Sequence, residues 1–464
     1  MDKKTIEINI DALVGPTHHY SGMGVGNVAS MEHRHRPSSS KRAAMEGLKK
    51  SWLVAQTGTP QFLLPPLKRP RLDLLARYGF SGTSLQQLES ACRQDISLVS
   101  SVYSSSFMWA ANAATVTAAS DSFDGMMHMT IANLSSSLHR TIEAEERHRQ
   151  FSQFFQDLSE YVTVHPALPG NVPLRDEGAA NHMRLSSTNL SAGINVFVHG
   201  DSPGDDNPPM RFFPRHTLAA SRMIQRHHRL NPDHTFYLQQ HPSAISSGVF
   251  HNDVIATSHQ NLLIHHEMAF TEEAITKIAI LEDAFQDLTD SPLYRIVVQD
   301  SELNLQDAVR SYLFNSQLVS PSQTPAIDGL ATHRSNLPPG QLPRMLMIAP
   351  QQCREVPAAE QLINRWIDDS KNPIDQVVYV ELRQSMAGGG GPACLRLRLP
   401  IDRQWIDKLP EACRLDHMLY DRLMDTFDRY YPERLTIGEL ADYQLAEQSW
   451  VAGQVVSKVL GFAE

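Results

Sequence analysis

Three kinds of side chain in this sequence are suited to attack a carbon centre together: a thiol, an imidazole and a carboxylate. The thiol is Cys394, which follows the run of glycines 388–391 and Pro392. Consecutive glycines lose much backbone entropy on folding, so a chain keeps them where it must approach another group closely. Pro392 ends that loop, and Cys394-Leu-Arg-Leu-Arg-Leu399 alternates like a half-buried strand, which sets the thiol at a strand mouth. A small structural core cysteine is the competing reading of the same stretch. The imidazole is His251 and a first carboxylate Asp253; a strand over 250–256 puts both on one face, whether toward a site or toward solvent. A second pair, Asp176 and Glu177, either opens a helix, where negative charge is favoured, or makes Glu177 a buried acid. A free thiol with a pKa of about 8.5 needs a base or a cationic neighbour to become a nucleophile, and Cys394 with His251 and a carboxylate is such a set. Asn112 stands alone among small apolar neighbours and needs a backbone or ligand partner.

These residues must be carried by alternating elements. Thr5 to Ile10 reads as an opening strand, and residues 14–27 form a second glycine-rich loop with Gly15, Gly22, Gly24 and Gly26. That loop has neither P-loop spacing nor a GxGxxG opening a helix, so a phosphate role is not expected. His18, His19, His33 and His35 lack a supporting acidic or thiol ligand, so no metal centre is expected. Helical patterns at 40–57, 215–229, 268–287, 304–318 and 355–368 alternate with short apolar strands, which argues an α/β chain. A repeated ββαβ unit is compatible with this order, although no strict period is visible. The charged stretch 141–160 reads as a helix with a solvated face, the basic run 68–71 as a solvated loop, and the proline-rich stretch 321–342 as a surface insertion.

At 464 residues the chain exceeds the usual single-core size, so it holds either several domains or one large closed architecture. A net charge of −10 disfavours nucleic acid and anionic membranes as partners, and no apolar run is long enough to cross a bilayer. Four cysteines without a CxxC pair argue against a disulfide framework. With no signal-like apolar segment at Met1 to Glu7, a cytoplasmic protein is expected.

The motifs together go further. Residues 15–30, Met-Trp-Ala-Ala-Asn-Ala-Ala-Thr (108–115), Asp-Glu-Gly-Ala-Ala-Asn-His (176–182), Gly-Val-Phe-His-Asn-Asp-Val (248–254), Tyr-Leu-Phe-Asn-Ser-Gln-Leu (312–318) and Gly-Gly-Gly-Pro-Ala-Cys-Leu-Arg-Leu-Arg (389–398) resemble, in order and over nearly the whole chain, the N-succinylarginine dihydrolases of the guanidino-group-modifying (pentein) superfamily. The resemblance implies one α/β domain over 1–464, a five-bladed α/β propeller of ββαβ units around a central active site. It implies hydrolysis of N2-succinyl-L-arginine to N2-succinyl-L-ornithine, two ammonia and carbon dioxide, without metal or organic cofactor. Carried over by position, Cys394 is the nucleophile, His251 the general acid/base and Glu177 the third catalytic residue. The implied substrate contacts are Ser21, Gly22, Met23, Gly24, Val25, Gly26, Asn27, Val28, Ala29, Ser30, Asn112, His139, Arg140, Arg215 and Asp253. Gly388 belongs with them but departs from the family pattern, which usually has asparagine there. A small molecule is the expected partner and a homodimer the expected assembly. Two alternatives are an arginine-type deiminase that stops after one ammonia and a catalytically silent anion-binding protein.

Overall fold

Alternating apolar residues in Thr5–Ala12 make β1, whose side chains Ile8, Ile10 and Ala12 are buried. The computed structural model describes residues 5–188, 190–201, 210–327, 329–338 and 340–462. β2 (Gln61–Leu64) runs parallel to β1, a pairing that needs a long connection, here supplied by the helix Ser40–Gln56. The same order of two antiparallel strands, a helix and a parallel strand then recurs. β3 (Ala114–Thr117), β4 (Met127–Ile131) and β5 (Val162–His165) form the second sheet, and β6 (His182–Ser186), β7 (Gly193–His199) and β8 (Thr235–Gln239) the third. β9 (Ala256–His259), β10 (Leu262–His266) and β11 (Tyr294–Val298) form the fourth. In the fifth, β12 (Gln317–Val319), β13 (Thr332–Arg334), β14 (Met345–Pro350) and β15 (Ile374–Val380) lie in the order β12-β14-β15-β13. β16 (Arg396–Asp402) returns to the first sheet and pairs antiparallel with β1, from Thr5 opposite Asp402 to Asp11 opposite Arg396. The protein is thus a mixed α/β fold of five small sheets with helices between their strands, and one apolar cluster joins Ile8 of β1, Leu397 of β16, Met129 of β4 and Ile348 of β14.

Several local expectations change. Residues 250–256 are not a strand: Asn252–Val254 is a 3-10 turn, because the Asn252 N–H donates to Asn181 Oδ1 at 2.8 Å instead of joining a ladder. Cys394 lies in the turn before β16, its N–H taken by the side chain of Asn315. The helix expected over 304–318 ends at Ser311, where Tyr312 adopts a left-handed φ of 53° that turns the chain toward β12. The basic run is not a solvated loop, since Arg69 is 3% exposed and paired with Glu143 and Glu146. Arg147, on the helix Ala144–Phe154, is buried too, donating to the carbonyls of Asn112, Ala113 and Ala132. Arg147 fastens that helix to the segment bearing Asn112. Of the stretch 321–342, residues 328 and 339 lie outside the described residues, and its Thr332–Arg334 supplies β13. No helix among the described residues is long and apolar enough to cross a membrane.

Candidate active site

Glu177 is fully buried at the start of the turn Gly178–Asn181. Gly178 has a φ of 68°, and a Cβ there would stand 3.1 Å from the Asn112 carbonyl carbon, so this turn has room only for glycine. A lone carboxylate in such a place is strongly disfavoured, and this one is fully engaged. Arg140, on the short helix Leu138–Thr141, donates to Glu177 Oε2 at 2.6 Å and Oε1 at 3.2 Å; Ser136 Oγ donates to Oε1 at 2.9 Å and His251 Nε2 meets Oε2 at 2.7 Å. Burial pushes the Glu177 carboxyl upward, but Arg140, His251 and Arg215 outweigh it and hold the group well below the usual carboxylate range. An ionised carboxylate only accepts, so His251 presents its Nε2–H to Glu177 and keeps Nδ1 as the basic nitrogen, which is buried without a partner. Burial lowers His251 to about 4 against the pull of Glu177, with the repulsion of Arg215 and Arg140 added.

Cys394 is 2% exposed, with Sγ 3.3 Å from Asp253 Oδ2. Asn315 brackets it, donating from Nδ2 to Sγ at 3.1 Å and accepting the Cys394 N–H on Oδ1 at 3.1 Å. Burial first, and then the Asp253 carboxylate, push the thiol well above its ordinary value, while the Asn315 amide works the other way. Burial also raises Asp253, to about 6. At neutral pH the resting pair is therefore a thiol donating to a carboxylate.

The two glycine loops meet beside this pair. Asn27 Nδ2 donates to the Gly389 carbonyl at 3.1 Å, and Tyr312 Oη donates to the same oxygen at 3.1 Å. Gly389 has a φ of 99° and a Cβ on it would lie 1.9 Å from Asn27 Nδ2, so the close approach anticipated from the glycine run is that of Asn27. Trp109 donates from Nε1 to Ser385 Oγ at 3.1 Å and covers Gly388 and Gly390; a Cβ on Gly388 would stand 2.8 Å from its ring. Gly388 thus belongs with Trp109, and any side chain at 388 displaces that indole.

One cavity collects Ser21, Met23, Gly24, Asn27, Ser30, Asn112, His139, Arg140, Arg215, His251, Gly388 and Cys394. Glu177 lies behind Arg140 and His251, and Asp253 behind Cys394. Val25, Gly26, Val28 and Ala29 do not line it, Val25 contributing only its carbonyl to Arg215 Nη2, and Gly22 lines a neighbouring cleft. Arg215 stacks 4.9 Å from the Phe250 ring and its Nε is buried without a partner, as are Asn112 Oδ1 and His139 Nδ1. Burial, aided by Arg140, drives His139 well below the ordinary imidazole range, so it enters the cavity as a neutral ring.

Four contributors carry no role in the sequence reading: Asn315, Ser136, Tyr312 and Trp109. For Asn315, Tyr312 and Trp109 a signal existed. Each lies in a quoted motif, and Asn315 follows the apolar Leu313 and Phe314.

Comparison with known proteins shows the family. N-succinylarginine dihydrolases of Shewanella piezotolerans (strain WP3 / JCM 13877) and Shewanella pealeana (strain ATCC 700345 / ANG-SQ1) are each 40% identical to it over 459 residues, 98% of this chain and 98% of theirs. Among solved structures it is similar to ArgZ, an arginine dihydrolase from the ornithine-ammonia cycle in cyanobacteria, at 16% identity over 85% of this chain and 40% of that one, with a TM-score of 0.48. That likeness is too low to carry an argument about the site. The sequence relatives are not: with them, and with the succinylarginine dihydrolase (AstB) family model matching residues 4–464, this chain belongs to the succinylarginine dihydrolase family.

Proposed function

We propose that this chain hydrolyses N2-succinyl-L-arginine to N2-succinyl-L-ornithine, two ammonia and carbon dioxide, in arginine catabolism through the arginine succinyltransferase pathway. The observation that carries the reading is the meeting of two pairs at one cavity, a thiol on Asp253 and an imidazole on Glu177.

A guanidinium carbon is a poor electrophile because resonance spreads its charge, so the site must fix its plane and generate the nucleophile beside it. Asp253, set behind Cys394, reaches the substrate cavity through Oδ2, the oxygen on the thiol; there it takes the cationic N–H groups, and the arriving cation offsets the carboxylate that held the Cys394 proton. The thiol proton passes to His251 Nδ1, and the thiolate adds to the guanidinium carbon. Glu177, kept ionised by Arg140, stabilises the imidazolium, which protonates the departing nitrogen. Ammonia leaves, and the same imidazole activates water against the thiouronium adduct to give a ureido compound. A second round at that carbon releases the second ammonia and a carbamate that decomposes to carbon dioxide. The unpartnered Nε of Arg215 suits a carboxylate of the succinyl end, with Asn112 and the Ser21–Ser30 loop closing round the chain.

The five sheets, closed by the β1–β16 pairing, favour reading 1–464 as one five-bladed propeller with 321–342 on its surface. A cytoplasmic homodimer completes the proposal.

The test counts ammonia per succinylarginine consumed by the purified protein: two support the dihydrolase, and one makes it a deiminase. Cys394→Ser should lose turnover by roughly 10³-fold or more, and full retention refutes the covalent route.

A further inference from the structure

A second cavity lies directly behind the reacting pair. Three chain segments form the partition, each with neighbouring residues on opposite sides: Asn112 faces the substrate cavity and Ala111 the second one, His251 the first and Asn252 with Asp253 the second, Cys394 the first and Ala393 the second. The second cavity holds about 90 Å³, room for several molecules the size of water. Its far rim is formed by the half-buried Glu7, Arg398 and Pro400.

Four polar atoms of residues lining it are buried without a hydrogen-bond partner: Asn252 Oδ1, Asp253 Oδ1, Ser258 Oγ and Arg396 Nε. Asn252, Ser258 and Arg396 are 2%, 4% and 9% exposed. Buried polar groups are kept where something satisfies them, so an occupant is implied. The set offers three acceptors and one donor. Neutral ammonia is its complement, with three N–H groups and one lone pair. The ammonium cation is the poorer match, because three guanidiniums line the walls, Arg184, Arg396 and Arg398, against two carboxyl groups, Glu7 and Asp253.

We propose that this chamber takes ammonia off the reacting carbon, and returns water to it, while the succinylated chain still fills the substrate cavity. The idea rests on the hydrolase reading above and answers a question that reading leaves open: how a site with its mouth blocked by substrate completes two hydrolyses before letting go. When the imidazolium of His251 gives its proton to the departing nitrogen, the C–N bond breaks and NH3 passes behind Asp253. Water arriving the same way loses a proton to His251 and adds its oxygen to the carbon, and the C–S bond then breaks to restore the thiol. The ureido intermediate stays in place, and the second cycle begins without its release.

Ser258→Leu fills the chamber from β9 and leaves the substrate cavity untouched. In this variant the KM for succinylarginine should stay within about twofold of wild type. N2-succinylcitrulline should appear in solution, and ammonia released per substrate consumed should fall from two toward one. A second measurement uses the unaltered enzyme: added ammonium chloride should make it release succinylcitrulline, increasingly so as pH rises and the neutral form grows. Two ammonia from Ser258→Leu with no free ureido compound, or ammonia acting only in competition with succinylarginine, overturns the chamber and leaves the hydrolase intact. Failure of the unaltered enzyme to consume succinylarginine overturns both.

Discussion

A thiol that rests as a donor to a carboxylate is a reluctant nucleophile, and on the proposed mechanism Cys394 stays protected until a cation arrives. The cause is local: burial and Asp253 both favour the protonated sulfur, while Asn315 and the Gly391 backbone favour the thiolate. Removing the Asp253 charge therefore has opposite effects on two observables. Asp253→Asn should speed labelling of Cys394 by iodoacetamide at pH 7 by roughly tenfold, since one pKa unit is about a tenfold change in thiolate fraction at pH well below the pKa. The same substitution should depress hydrolysis of succinylarginine, because the guanidinium loses its anchor. Mass spectrometry of the labelled peptide over time checks the first outcome; labelling no faster than wild type removes Asp253 as the group that holds the proton. His251 is tuned in the other direction, a base kept neutral by burial and pointed by a carboxylate that Arg140 has already balanced.

At the level of elements the site is a knot of loops tied by side-chain amides. Asn27 caps the helix Val28–Glu32 by accepting the Ser30 N–H at 3.0 Å and reaches across to the Gly389 carbonyl. Asn27→Ala should raise the KM for succinylarginine several-fold and lower kcat less, with at most about 1–2 kcal/mol lost in stability, the usual range for a missing cap. Urea denaturation and steady-state kinetics together check it; an unchanged KM would separate the loop from substrate binding. How much of this was legible follows from what each element depends on. β1, β7, β10, β14 and β15 were readable because their apolar patterns reflect burial of their own residues. β2, β3, β5, β6 and β12 were not singled out as strands, being three to five residues long and defined by partners distant in sequence. His251 and Asp253 were found by residue type, yet the strand periodicity argued for them does not exist; they are placed by the Asn252–Asn181 bond, a tertiary contact with no local trace. Arg69, Glu143 and Arg147 looked solvated because charge usually is, and pairing inside the protein overrode that prior.

Across the whole molecule, burial of imidazoles sets the response to acid. His18, His165, His182 and His265 are lowered to about 4 and His216 to about 3, all chiefly by burial, and His251 to about 4 likewise. In the unfolded chain these rings bind protons from about pH 6.5 downward, whereas in the folded state they stay neutral, so stability falls as pH drops from about 6.5 toward 4. Asp176, raised by burial to about 7, and Asp253, raised to about 6, act in the opposite sense, since the folded state binds their protons first. The histidines outnumber them, and the midpoint of urea unfolding should shift to lower urea between pH 6.5 and 4.5; a midpoint that rises over that span means the carboxyls dominate. The pairing of β1 with β16 carries a last consequence. The Cys394 sulfur sits two residues before a strand seated against the opening strand, β1. During synthesis on a ribosome β1 waits, its edge bare, until nearly all of the polypeptide has emerged. A nascent or prematurely terminated chain therefore holds no assembled chemistry, and its unmated leading edge is a place for chaperones to guard.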